Sequence, residues 1–138
     1  MTAMLRILAD HDIEGHIRRL VRICSSREWA DIWASLACRV DSFEELGLAH
    51  NTADNDVWQL CQKEGIVLIT GNRNAEDETS LELTIRRLGT DRSLPVITIS
   101  DPKRFMRDRD YAETVAAQVL QDLMDLEVLR GTGRLFVP

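Results

Sequence analysis

Three groups of residues in this chain have types and spacings that could do chemistry. They are Asp10-His11-Asp12, Asp54-Asn55-Asp56, and Asn72-Arg73-Asn74 with Glu76-Asp77-Glu78 close behind. All offer carboxylate or amide oxygens, the donors that a hard divalent cation such as Mg²⁺ takes. No single group is a complete site. They become one only if the fold brings distant segments to a common place.

The elements around them are arranged to do that. Leu5 to Ala9 is a short apolar run ending in Asp10, and Ile66 to Thr70 is a β-branched, uncharged run ending at Gly71 and Asn72. Both read as buried strands of a parallel sheet. The carboxyl ends of such strands are where open α/β sheets bind ligands. Pro95 to Ile99 gives a third clear strand, Cys38 to Phe43 a weaker one, and Arg134 to Val137 an edge strand. Between them run helical patterns: Ile13 to Cys24, Trp29 to Leu36 after a Ser25-Ser26 cap, and Asp54 to Cys61 with Gly65 as C-cap. A polar loop through Thr79 is expected to precede a helix from Ser80 to near Gly89. Pro102 suits a first helical position, and the longest helix carries Tyr111, Val115, Val119, Leu123 and Leu126 on one side. Strand and helix alternate throughout, which predicts one domain over residues 1–138. Its fold class is α/β, a three-layer Rossmann-like, mostly parallel sheet with helices on both faces.

Each motif also has a plainer reading. Asp12 can cap a helix, as can Asp54, since carboxylates at helix N-termini are stabilised by the dipole. Asn72 and Asn74 can bond loop backbone as readily as coordinate a cation. For Asp10 the metal reading is the stronger, because it follows a buried strand directly. Asp77, or Glu82 further on, could supply the charge that the two amides lack.

Composition narrows the function classes. The formal net charge of −6 argues against strong autonomous binding to nucleic acid. Basic residues nevertheless cluster, as Arg18-Arg19 with Arg22, as Arg86-Arg87 with Arg92, and as Lys103, Arg104, Arg107 and Arg109. Each cluster is either a phosphate contact or the solvated face of a helix. No apolar run is long enough to span a bilayer and no signal-peptide pattern is present, so a cytoplasmic protein without membrane contact is expected. Cys24, Cys38 and Cys61 lack ligand or redox spacing and read as free thiols. No GxGxxG or GxxxxGK[ST] sequence occurs, which sets aside a phosphate-cradling Rossmann module.

Taken together, Ala9-Asp10-His11-Asp12-Ile13, Ala53-Asp54-Asn55-Asp56-Val57 and Thr70-Gly71-Asn72-Arg73-Asn74 resemble the three motifs of the small bacterial PIN-like domains. Those motifs are of Asp-Glu-Asn-Leu, Ser-Asp-Glu-Glu and Thr-Arg-Asp-Arg-Asp type. The likeness covers roughly residues 5–100, and the tail Gly131 to Pro138 resembles a cyanobacterial subgroup. It implies a PIN fold and a metal-dependent ribonuclease, in some members the toxin of a toxin–antitoxin pair. By that likeness Asp10, Asp12, Asp54, Asn72 and Asn74 would hold Mg²⁺ or Mn²⁺. Asp10, Asp54 and Asp77 would serve catalysis, and Arg73 would contact the substrate. The implied partners are RNA, bound weakly or with assistance, and an antitoxin protein. The departure is at Asn72 and Asn74, where acids are expected. That favours the alternative of a catalytically inactive PIN-like binding or interaction module. Separately, Phe136, Val137, the Tyr111–Leu126 face and Trp29, Trp33 and Trp58 are generous apolar surface for one domain, which predicts a homodimer.

Overall fold

Five apolar runs become the five strands of one sheet in a computed structural model. The structure describes residues 5–72 and 75–138, with residues 75–80 described through their backbone only. The strands are β1 (Leu5–Ala9), β2 (Cys38–Asp41), β3 (Ile66–Gly71), β4 (Val96–Ile99) and β5 (Arg134–Val137). They lie in the order β2-β1-β3-β4-β5, and every pairing is parallel. The expected α/β class and parallel sheet are therefore observed. Chain direction reverses its march across the sheet between β1 and β3, the place where such sheets open a crevice at their carboxyl ends.

Alternation along the strands assigns the two faces. Ile7, Ala9, Val67, Ile69, Ile97 and Ile99 point to one side, where they pack with α1 (Glu14–Cys24), α5 (Pro102–Arg107) and α6 (Arg109–Met124). The half-buried Ile32 and Trp33 of α2 (Ala30–Leu36) lie against that same core. Leu8, Ile66, Leu68 and Val96 point to the other side, against α3 (Asp54–Glu64) and α4 (Ala75–Leu88). Three layers result, with β3 in the middle and buried along its whole length.

Local chemistry explains the helix ends. Gly65 takes a left-handed φ of 70° and closes α3 as its C-cap. Asp101 accepts a hydrogen bond from the Arg104 amide, and Pro102 opens α5 where its missing N–H costs nothing. Asp108 is extended, so the last helical stretch is two helices, and the Asp108 carboxylate caps the second through the Tyr111 amide. Two expectations are corrected. The polar stretch before Thr79 is helical from Ala75. The second helix is capped at Trp29 with no side-chain cap, so Ser25 and Ser26 end α1 instead of starting α2.

Nearly all of the apolar face of α6 is core. Tyr111, Val115, Val119, Leu123 and also Leu126 are buried, as are Val137 and Trp58. Cys24 and Cys61 are buried free thiols, and burial pushes the thiol of each up to about 12. Cys38 is half-buried, with its thiol pushed up to about 11 by the same cause.

Candidate active site

Asp10 leaves β1 at the carboxyl edge and remains buried, with 8% of its surface exposed. Its amide donates to the Ile69 carbonyl of β3 at 2.9 Å, which continues the ladder one residue past the strand. Since Ala9 is level with Ile69, Asp10 is level with Thr70 and shares the face that α3 and α4 cover. Its carboxylate accepts the His11 amide at 2.8 Å and caps a 3₁₀ turn over His11–Ile13. The capping role considered for Asp12 thus belongs to Asp10, while Asp12 is exposed inside the turn.

Asn72 stands at the same edge. Its amide donates to the Ile99 carbonyl at 2.9 Å, and its side-chain amide donates to the Ser100 carbonyl at 3.2 Å. Asn72 therefore leans toward β4, while Asp10 is tied to β3. Gly71, just before it, is packed against the α1 and α5 layer. A Cβ there would meet Ile13 Cγ2 at 2.8 Å and Pro102 Cγ at 2.9 Å. The glycine is needed for this close approach, and not for any unusual backbone angle.

The second acidic group is linked to the first through two imidazoles. His11 stacks on His50 with ring centroids 4.0 Å apart, and the Phe43 ring lies 6.2 Å from His11. His50 sits in a turn closed by the Thr52 amide and hydroxyl on the Ala49 carbonyl, directly before α3. Asp54 is the half-buried first residue of that helix, whose N-cap is Ala53. Asp54 is therefore not the cap. The Asp10 turn, the approach to α3 and Asn72 all occupy one edge of the sheet.

Other expected residues stand apart or lie outside what is described. Arg73 and Asn74 are outside the described residues, and for Asp77 only the backbone in the first turn of α4 is described. Glu82 does not turn back to Asp10. It pairs with Arg134 at 3.2 Å. Among the described residues, no group of three or more His, Cys, Asp or Glu side chains is placed to hold a metal ion.

Two features were not anticipated. Arg134, read only as part of an edge strand, has a buried side chain that donates to the Thr98 hydroxyl at 2.8 Å, and that hydroxyl meets Thr70 Oγ1 at 2.8 Å. A polar row thus runs beneath the edge from Asp10 through Thr70 and Thr98 to the guanidinium. The available signal was alternation, since Arg134 is level with Val96 and so faces α4. The other feature is Asp41, whose fully buried carboxylate lies 2.8 Å from Arg6 Nε and 2.9 Å from Arg39 Nε. Those two cations give Asp41 a structural role.

No family model, no curated protein and no solved structure matches this chain.

Proposed function

We propose that this protein is a PIN-like, metal-dependent ribonuclease whose site is the carboxyl edge around Asp10. The observation that carries the reading is the gathering of Asp10, the His50–Asp54 approach to α3 and Asn72 at one edge of a parallel sheet. Their donors are oxygens, which suits Mg²⁺ or Mn²⁺ better than a softer ion. Such an ion, when bound, would acidify water and offset charge on a phosphodiester. Asp10 and Asp54 would hold it, with Asp12, Asn72, Asn74 and Asp77 in support. The chain's own part is positional. Asp10 is fixed by its ladder bond and its cap, Asn72 by two bonds to the end of β4, and Arg73 would meet the RNA phosphate. A toxin role, with an antitoxin protein as partner, extends the same proposal, and a cytoplasmic setting suits it.

A second reading has a specific observation behind it. Asn72 carries no formal charge, and its amide is engaged with Ser100. That favours an inactive binding or interaction module. Incubation of single-stranded RNA with Mn²⁺ or Mg²⁺ separates the two. The nuclease reading expects cleavage that chelation stops and Asp10→Asn removes. Cleavage unchanged by Asp10→Asn, or none with either metal, overturns it.

A further inference from the structure

Two of the three basic clusters, far apart in sequence, meet in the fold. Arg19 Nε donates to the Phe105 carbonyl at 3.0 Å, which locks the middle of α1 to α5. Beside that contact, Arg19, Arg22 and Arg109 line a groove of about 280 Å³ whose other walls include Ser26, Ile23 and Glu113. Arg109 holds Glu113 at 3.5 Å and Arg104 holds Asp108 at 3.1 Å, so those two cations are paired. Arg18, Arg22, Lys103 and Arg107 are exposed, and among the described residues none has a carboxylate partner. On a chain of net charge −6, this is a local concentration of uncompensated positive charge.

The face adjoins the candidate site. Pro102, the first residue of α5, packs on Gly71 next to Asn72, and the His16 ring nitrogen Nε2 donates to the Pro102 carbonyl at 3.0 Å. From the carboxyl edge the α1–α5 seam therefore runs from the His16–Pro102 contact to the Arg19–Phe105 contact and the Arg22–Arg109 groove beside it.

We infer that this basic face between α1 and the α5–α6 junction is a track for the phosphate backbone of single-stranded RNA leading away from the Asp10 edge. The inference rests on reading that edge as an RNA-cleaving site. Guanidinium forks match phosphate oxygens in pairs, and such contacts hold a strand without regard to sequence. A protein partner would need an apolar centre to its interface. Here the groove offers only half-buried Ile23, and the exposed Met106 lies on neighbouring α5. The third cluster serves as an internal control. Arg86 and Arg87 lie on α4, in the layer across the sheet.

The test is fluorescence anisotropy of a labelled single-stranded RNA oligonucleotide with the full chain in chelator, where cleavage cannot occur. Arg18→Ala, Arg22→Ala and Arg109→Ala together should weaken binding about tenfold at low salt and flatten the salt slope by about 2, as loss of three phosphate contacts requires. Lysines at the same positions should restore most of the affinity, which separates lost charge from lost folding. Arg86→Ala with Arg87→Ala should change neither quantity. Asp10→Asn should remove cleavage in metal. Binding that the arginine variants weaken, in a protein that cleaves nothing, supports the track and overturns the nuclease reading alone. The track is overturned if the parent chain does not bind, if the α4 pair weakens binding as much, or if polyglutamate displaces RNA at equal charge concentration.

Discussion

The imidazole of His11 lies on that of His50 at a centroid distance of 4.0 Å, and this contact joins two acidic segments about forty residues apart in sequence. One ring follows Asp10 directly. The other opens the turn that leads into α3 and Asp54. Because His11 is also flanked by Phe43 and lies 3.6 Å from the Glu14 carboxylate, the stack is packed on several sides. It holds the Asp10 turn against the segment that leads into α3.

A divalent ion that binds only the folded chain should raise Tm by mass action. With an amide at Asn72 the site should hold Mn²⁺ or Mg²⁺ weakly, since each missing charge removes attraction from a partly desolvated place. Asn72→Asp should enlarge the metal-induced rise in Tm, and Asp10→Asn should abolish it. The reverse order in a thermal scan would reduce the cluster to caps and loop bonds.

Gly71→Ala should destabilise the fold by about 1–3 kcal/mol, the usual cost of forcing a methyl group into a filled core. The added carbon would press on Ile13 and Pro102 within 3 Å of each. Urea unfolding measures the loss. A neutral result would show that the α5 start yields easily, and that the edge is softer than its packing indicates.

Burial holds the His16 imidazole below its ordinary value, against the opposing pull of its bond to the Pro102 carbonyl. A depressed value in the folded state means that the unfolded chain takes up the proton first. This contribution to stability is therefore complete above the ordinary value of 6.5 and is lost as pH falls through the folded value. His16→Gln keeps a donor and removes the titration, so its urea midpoint should depend less on pH below 6.5 than that of the parent chain.

A homodimer must rest on other surface than the helix first considered, because most of the Tyr111–Leu126 face is core. Phe136 is 56% exposed on β5, an edge strand whose outer side can take another chain. We propose that a dimer uses this edge. Light scattering at micromolar concentration should then read a dimer mass that Phe136→Lys halves, and a monomer mass for the parent chain rejects it.

The sequence by itself determined the elements, their alternation and the place of Asp10 and Asn72 after buried strands. Hydrophobic period, β-branched runs, and residues such as Gly65 and Pro102 are local signals, and local chemistry decides helix or strand. It could not say that the 75–79 stretch is helical, since acidic residues suit both loops and first turns. Only the tertiary structure decided that Glu82 turns to Arg134, that most of the α6 face is core, and that Arg22 and Arg109 line one groove. Each of these depends on which faces of which elements are pressed together. That is fixed by packing between residues distant in sequence, and pattern along the chain does not encode it.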